Sequence, residues 1–174
     1  MFEKNYDLVG RHSVRARFLK EDAKLFKSFI DVYKNGAIWG LLYNRTAQKD
    51  REISDNLTIF SEQFSNHRDD CIFLYRLVML LDETTELDSQ ARLDRAFRDD
   101  AEDESEEKEQ KMKANLEIFN SYVRGGIDQL YEDLITDCTT SEDYITRVQE
   151  TITNFKDTLP GVDLEDRLAK LLGE

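Results

Sequence analysis

The sequence predicts an all-α fold: a single compact helical domain of about six to eight helices over residues 1–174. Apolar residues recur at three- and four-residue spacing along most of the chain, which is the pattern of amphipathic helices. The one proline, Pro160, gives little of the turn punctuation that an all-β fold needs. Charged residues make up 35% of the chain and hydrophobic residues 40%, as expected for helices with one solvated and one buried face.

The N-terminal third is predicted to hold two helices and a loop. Residues 11–26 mix basic and apolar side chains and predict a short amphipathic helix, broken near its acidic pair. A stronger pattern, "FIDVYKNGAIWGLLYNR", predicts a helix over 29–45. Gly36 and Gly40 share one face of it, and each costs about 1 kcal/mol relative to alanine in a helix. We therefore expect close packing of another helix on that face, followed by a polar loop over 43–52.

The middle of the chain is predicted to continue as helices. Residues 53–64 carry a weaker helical stripe. The segment "CIFLYRLVMLLDE", residues 71–83, is apolar nearly all round, which predicts the buried central helix of the domain. Residues 85–88 resemble a capping box and predict the start of another helix. The acidic low-complexity segment "RDDAEDESEEKEQK", residues 98–111, is either the solvated part of a long helix or an acidic linker.

Two glycines interrupt the clearest helical periodicity of the chain. Apolar stripes run through 112–123 and 127–138, with Gly125 and Gly126 between them. Glycine is common just beyond the C-terminus of a helix, where the backbone turns left-handed. We therefore predict a tight helix–turn–helix, with Gly125 ending the first helix and Gly126 starting the second.

The C-terminal part is predicted to contain two further helices. Thr140 or Ser141 is a suitable N-cap for a helix that reaches Phe155. The sequence Leu-Pro-Gly at 159–161 breaks the chain. A last amphipathic helix is predicted over 163–172.

Charge is distributed unevenly along the chain. The net charge is −13, yet residues 1–50 hold ten Lys/Arg against six Asp/Glu, whereas residues 51–174 are strongly acidic. An acidic surface argues against wrapping nucleic acid with the whole protein. DNA contact through residues 11–27 stays open, and its candidate phosphate-binding residues are Arg11, Arg15, Arg17 and Lys20. Alternatively, the acidic surface could mimic nucleic acid and inhibit a DNA-binding enzyme.

Sequence signatures of catalysis are missing. The chain has no glycine-rich phosphate loop, no HExxH and no CxxC. His67 precedes Cys71, but the pattern favours a polar helix start over a nucleophilic pair. Glu-x-Lys triplets at 106–108 and 109–111 are expected by chance in so charged a helix. We therefore predict a protein that is not an enzyme, with no catalytic residue, no metal site and no cofactor.

The sequence also predicts a cytoplasmic protein. The segment "MFEKNYDLVG" lacks the apolar core of a signal peptide, and no stretch approaches the roughly 18 apolar residues needed to span a membrane. Cys71 and Cys138 lie far apart in apolar helical patterns. They are expected to be reduced core residues.

Two stretches resemble small accessory proteins of bacterial phage-defence islands, such as those associated with dnd-type DNA phosphorothioation systems. In "FKSFIDVYKNGAIWGLLYNR" an aromatic residue and Asp lead an Ala- and Gly-rich apolar helix that ends in Gly, an aromatic residue, Asn and Arg. The matching positions are Phe29, Asp31, Ala37, Gly40, Tyr43, Asn44 and Arg45. In "LEIFNSYVRGGIDQLYEDL" they are Tyr122, Gly125, Gly126 and Leu130.

This resemblance covers about a quarter of the chain and includes no catalytic motif. It implies an accessory or regulatory component of an anti-phage defence or DNA-modification system, whose partner is a larger protein of that complex. A homo-oligomer is compatible with it, and no membrane is implied. The alternatives are a regulator that binds nucleic acid through the basic N-terminal helix, and an acidic DNA mimic.

Overall fold

The computed structural model describes residues 1–98 and 106–158, with side chains up to residue 155, and it confirms the all-α prediction. Most of the chain is helical, and a small two-stranded sheet is the exception. The elements in chain order are β1 (Tyr6–Val9), α1 (Arg11–Arg17), a π-helical turn (Phe18–Asp22), α2 (Phe29–Leu42), β2 (Asn56–Ile59), α3 (Ser61–Asn66), α4 (Arg68–Leu81), α5 (Ser89–Phe97), α6 (Glu106–Leu134) and α7 (Ser141–Thr158).

The chain divides into two compact units, Met1–Glu132 and Asp133–Glu174. The single domain predicted over 1–174 therefore stays a prediction. The first unit contains the sheet, α1 to α5 and most of α6. The helix predicted over 163–172 and the break at 159–161 lie outside the described residues.

The helix predicted over 53–64 is wrong for its central residues, Asn56–Ile59, which form β2. Strand β2 pairs antiparallel with β1, so that Tyr6 lies opposite Ile59 and Leu8 lies opposite Leu57. Leu57 and Ile59 are buried and Asn56 is exposed, which is the two-residue alternation of a strand with one covered face. Pairing with a strand about fifty residues away decides this conformation.

The N-terminal helices follow the prediction closely. Helix α1 runs into the π-helical turn, which ends at the acidic pair where a break is predicted. Ser28 caps α2 because its hydroxyl accepts a hydrogen bond from the Asp31 amide at 3.3 Å. The residues between Asn44 and Asp55 form neither helix nor strand, as predicted for the loop over 43–52.

Helix α6 corrects the predicted helix–turn–helix. The helix continues through Gly125 and Gly126 from Glu106 to Leu134 without a turn. Every residue from Tyr122 to Asp128 is buried, so this part of α6 lies at the centre of the first unit. Of the acidic segment 98–111, the last six residues form the start of α6, and 99–105 lie outside the described residues.

Helix α4 is amphipathic, not central as predicted for 71–83. Its inner face buries Cys71, Leu74, Tyr75, Val78 and Met79. On the outer face Phe73 is 65% exposed, and Leu81 is also exposed. The predicted all-round burial is therefore wrong, because α4 covers the core with one side only.

Side-chain caps begin the remaining helices. The carboxylate of Asp88 accepts a hydrogen bond from the Ala91 amide at 2.7 Å, so α5 starts from the last residue of the predicted capping box, not from Thr85. Thr140 and Asp143 form a reciprocal capping box at α7. The Asp143 amide donates to the Thr140 hydroxyl at 3.2 Å, and the Thr140 amide donates to the Asp143 carboxylate at 2.7 Å.

Candidate functional site

The two glycine pairs meet where α2 crosses α6. A methyl group at Gly126 would overlap the carbonyl oxygen of Gly36, and one at Gly40 would overlap the carbonyl oxygen of Tyr122. At Gly36 the added carbon would lie 2.8 Å from the carbonyl oxygen of Val123. Backbone therefore packs on backbone, which confirms the close packing predicted for Gly36 and Gly40.

Gly125 serves a second contact on the adjoining face of α6. A methyl group there would overlap the backbone of Arg45. Next to it, the Ala47 amide donates to the Ser121 carbonyl at 2.9 Å, and Arg124 Nε donates to the Ala47 carbonyl at 2.8 Å. The loop after α2 is therefore held against α6 by one backbone hydrogen bond and one hydrogen bond from the Arg124 side chain. Gly125 thus packs against the loop after α2, and Gly126 packs against α2 itself. Neither glycine ends a helix.

A charged cluster lies on α6 just beyond the crossing. The carboxylate of Asp128 is buried, and Arg15 Nη1 lies 2.7 Å from its Oδ1. Arg11 Nε donates to Oδ2 at 3.2 Å, and Nε2 of the fully buried His12 lies 3.4 Å from the same oxygen. Helix α1 is thus joined to α6 through one carboxylate. We call these four residues the Asp128 cluster.

The pKa of Asp128 reflects opposing effects. Burial raises the pKa of the carboxyl group, but the interactions with His12, the charge of Arg15 and the hydrogen bond from Arg11 outweigh burial and lower the pKa to about 2. Asp128 is therefore ionised at neutral pH. The cluster is a buried salt-bridge network that couples two helices.

The basic residues predicted to bind phosphates are engaged within the chain. Arg11 and Arg15 belong to the Asp128 cluster. Arg17 Nη2 donates to the Asn56 carbonyl at 2.6 Å, and its Nε lies 3.5 Å from Asp55. Lys20 Nζ lies 3.6 Å from the Glu21 carboxylate and 4.8 Å from the centre of the Phe29 ring. The structure places all four on one N-terminal helical segment, each with an acidic neighbour.

Burial limits chemistry at His12, and His67 is half-buried beside charged neighbours. His12 has no exposed surface, so its ring cannot reach a substrate in this conformation. His67 lies 3.3 Å from Lys34 Nζ and 3.7 Å from Asp70, and Cys71 follows. Burial raises the pKa of the Cys71 thiol to about 11, so the thiol is protonated at neutral pH and is a poor nucleophile.

A second buried network joins α4, α5 and α6. Arg95 Nη1 donates to the Asp82 carboxylate at 3.0 Å, and the Tyr122 hydroxyl donates to the other Asp82 oxygen at 2.9 Å. Thr84 and Thr85 hydroxyls donate to Asp82 at 2.6 Å each. Burial raises the pKa of Asp82, but these hydrogen bonds outweigh burial and lower it to about 2. We call this the Asp82 network, and it fixes the α4–α5 pair on α6.

An apolar groove lies on the outer side of that pair. Its volume of 530 Å³ lies within the range of about 300–1,000 Å³ that small-ligand pockets have. Phe73 and Phe97 are 65% and 48% exposed, and the Arg76 guanidinium lies 5.2 Å from the centre of the Phe97 ring. The groove is lined by Arg68, Asp69, Ile72, Phe73, Arg76, Leu77, Leu80 and Phe97. We call it the α4–α5 groove.

Two of these features leave a partial signal in the sequence. Asp128 stands among apolar positions of a helical stripe, which is a signal for a buried, paired carboxylate. Asp82 follows an apolar helix in the same way. Neither pattern identifies the residue that pairs with the carboxylate, because His12 and Arg95 lie on other helices. No sequence pattern indicates the groove, because the apolar run of 71–83 predicts burial on every side of the helix.

No protein-family model, curated protein or solved structure matches the chain. Across residues 1–98 and 106–158, no group of three or more His, Cys, Asp or Glu side chains is arranged to hold a metal ion. In the same ranges, no helix combines the length and the apolar character that crossing a membrane requires.

Proposed function

We propose that this protein is a non-enzymatic accessory or regulatory component of a bacterial anti-phage defence or DNA-modification system. It acts by binding a larger protein partner. The system is inferred from the resemblance in residues 26–45 and 116–134. The mode of action is inferred from the α4–α5 groove, which is the observation that carries the proposal.

The groove has the character of a protein-binding surface. Single exposed apolar side chains are ordinary on a protein surface, but contiguous ones mark interaction sites. Five apolar side chains line this groove together, and two of them are exposed phenylalanines. Aromatic residues are enriched among the residues that dominate binding energy at interfaces. The Asp82 network holds both walls of the groove rigid, so little ordering is needed on binding.

The partner segment that fits is an amphipathic helix with acidic residues at its edges. A groove between two helices accepts the apolar face of a third, with contacts at positions i, i+3 or i+4, and i+7. Arg68 and Arg76 outnumber Asp69 in the lining, although the chain as a whole carries a net charge of −13. Acidic groups on the partner complement these arginines. A second copy would bring the same arginines and the same net charge.

Nucleic-acid binding through the N-terminal helix is less well supported. Arg11 and Arg15 neutralise Asp128, and Arg17 and Lys20 have acidic neighbours of their own. A phosphate would have to compete with those carboxylates. The geometry therefore favours the protein-binding proposal over the nucleic-acid alternative.

The test is capture of partners by the tagged full-length protein in its native host. We expect a stoichiometric protein partner that is lost when Phe73→Ser and Phe97→Ser are combined. The matched control combines Leu42→Ser and Phe60→Ser, which remove exposed apolar side chains elsewhere. The control should keep the partner, and both variants should have the thermal stability of the wild type.

Other outcomes decide against the proposal. A stoichiometric partner that stays bound to the groove variant would place the interface elsewhere. Self-association lost in the groove variant would identify a second copy as the occupant. DNA binding that falls steeply with salt and is lost with Arg17→Ala and Lys20→Ala would favour the nucleic-acid alternative.

A further inference from the structure

A second cavity lies between the N-terminal segment and α6. Its walls come from residues 1–6, α2, α3 and the first half of α6. The lining side chains include those of Phe2, Tyr33, Phe64, Met112, Leu116 and Asn120. We call it the N-terminal cavity. We propose that it binds a small, flat, uncharged aromatic molecule.

The size of the cavity sets the size of the ligand. Its volume is 220 Å³. An apolar cavity of about 150 Å³ inside a protein stays dry and accepts benzene. The N-terminal cavity therefore has room for a molecule between benzene and indole in size. It is too small for a nucleotide or a drug-sized ligand, which occupy pockets of about 300–1,000 Å³.

The walls select an aromatic ring. Tyr33 and Phe64 meet edge to face with ring centres 5.2 Å apart, and Phe2 stacks on Phe64 at 5.7 Å. Met112 and Leu116 supply aliphatic contacts from α6. Aromatic rings in such clusters prefer offset-stacked or edge-to-face neighbours at centre distances of roughly 4.5–7 Å. A flat ligand ring can extend this cluster with the same geometry.

The Asn120 side chain in the cavity lining favours a ligand with a hydrogen-bond acceptor. The Tyr33 hydroxyl donates to the Asn120 side-chain oxygen at 2.7 Å. This bond uses one lone pair of the Asn120 oxygen, and the two amide N–H donors of Asn120 can bind an acceptor on the ligand. The charged lining groups are engaged with one another: Lys113 lies 2.8 Å from Glu109, the charge of Lys4 also acts on Glu109, and the Met1 ammonium lies 3.6 Å from Glu3. An uncharged ligand with one acceptor fits this lining better than an ion.

Backbone strain shows that the aromatic cluster is favourable enough to constrain the N-terminal segment. Phe2 has a positive φ of 60°, which is uncommon for a bulky residue. Its ring is nevertheless inserted against Phe64, and against Tyr75 and Phe119 edge to face. The packing of this ring therefore outweighs the strain. Contacts between aromatic rings therefore stabilise this part of the fold, and an aromatic ligand would add contacts of the same kind.

The experiment is an NMR titration of the full-length protein with acetophenone and benzamide, which are flat aromatic molecules with a carbonyl acceptor, and with cyclohexanol as a non-aromatic comparison. We expect saturable shifts of the Leu116 and Asn120 amides with the two aromatic probes. Fragment-sized ligands bind with dissociation constants of roughly high micromolar to millimolar. Cyclohexanol should bind at least about tenfold more weakly.

Cavity-filling variants test the location. Leu116→Phe and, independently, Met112→Phe should weaken benzamide binding at least about tenfold. Leu42→Phe adds the same ring on the exposed end of α2 and should leave binding unchanged. Using two separate cavity variants keeps the test decisive if one of them fails to fold. The proposal is overturned if neither aromatic probe gives saturable shifts, or if both folded cavity variants bind as well as the wild type.

Discussion

Gly126 on α6 lies directly against the Gly36 carbonyl on α2, so closely that no side chain fits between them. The two helices therefore pack through their backbones. Helices that carry side chains at a crossing keep their axes about 8–10 Å apart. The Gly36–Gly126 contact is the structural reason for glycines in helices where alanine has the higher propensity.

Substituting these glycines by alanine should destabilise the first unit in a graded order. Gly126→Ala and Gly40→Ala place a methyl group on backbone atoms, and the helices must move apart. We expect each to lower the free energy of unfolding by about 3 kcal/mol or more, at the upper end for overpacking. Gly36→Ala, where the nearest atom is 2.8 Å away, should have a smaller effect.

Urea unfolding measures this series, and Gln110→Ala on the exposed start of α6 is the control. A surface substitution of that kind should change stability by no more than about 0.5 kcal/mol. If Gly126→Ala were as stable as the control, α2 and α6 would not cross at these residues.

Removing the charge of Asp128 should destabilise the protein in a pH-dependent way. The folded pKa of about 2 lies below the usual 3.8, so the charged carboxylate stabilises the fold above about pH 4. That contribution is lost as the pH falls from about 4 to about 2. Asp128→Asn should lower the free energy of unfolding by roughly 2 kcal/mol at neutral pH.

Denaturation at a series of pH values tests whether the stabilisation by Asp128 is lost as the pH falls. The difference between wild type and Asp128→Asn should shrink as the pH falls below 4, the region set by the usual and folded pKa values of 3.8 and about 2. Glu62→Gln, on the exposed side of α3, is the control and should match the wild type throughout. A constant difference over the whole range would show that ionisation of Asp128 is not what stabilises the cluster.

Tyr122→Phe should weaken the attachment of the α4–α5 pair to α6. The substitution removes the hydroxyl that donates to Asp82 at 2.9 Å and keeps the buried ring. Hydrogen bonds to charged groups contribute about 1.5–3 kcal/mol, so a loss in this range is expected. Tyr131→Phe, whose ring packs on Arg15 and Phe18, is the matched control. Equal stability of the two variants in urea would contradict the role given to the Asp82 network.

Thr140→Ala should loosen the first turn of α7. The Thr140 hydroxyl accepts from the Asp143 amide, and backbone N–H groups of Thr139 and Thr140 lower the pKa of Asp143 to about 2. Loss of such a cap costs about 0.5–2 kcal/mol. Hydrogen exchange of the amides after Ser141 should accelerate in this variant. Thr153→Ala, exposed within α7, should leave the exchange of that turn unchanged.

The sequence predicted the helical class of this fold because helical periodicity is local. It also predicted close packing at Gly36 and Gly40, because two glycines on one helix face imply a near neighbour. The same reasoning failed at Gly125 and Gly126. Glycine suits both a helix end and a close crossing, and only contact with α2, far away in the chain, decides between them.

Non-local pairing explains the other differences between prediction and structure. Strand β2 forms because it pairs with β1, and a helical stripe of the same residues is equally compatible with the local pattern. His12 and Asp128 are 116 positions apart, so their contact leaves no mark in local spacing. The groove depends on where α5 sits beside α4, which determines the side of α4 that faces solvent.

Hydrogen exchange of the full-length protein with and without its captured partner tests the central proposal most directly. Binding in the α4–α5 groove predicts added protection over Ile72–Leu81 and Leu93–Phe97. It predicts no added protection in α1. Protection confined to Arg11–Asp22, with the groove unchanged, would contradict the proposal and favour the basic N-terminal segment as the binding surface.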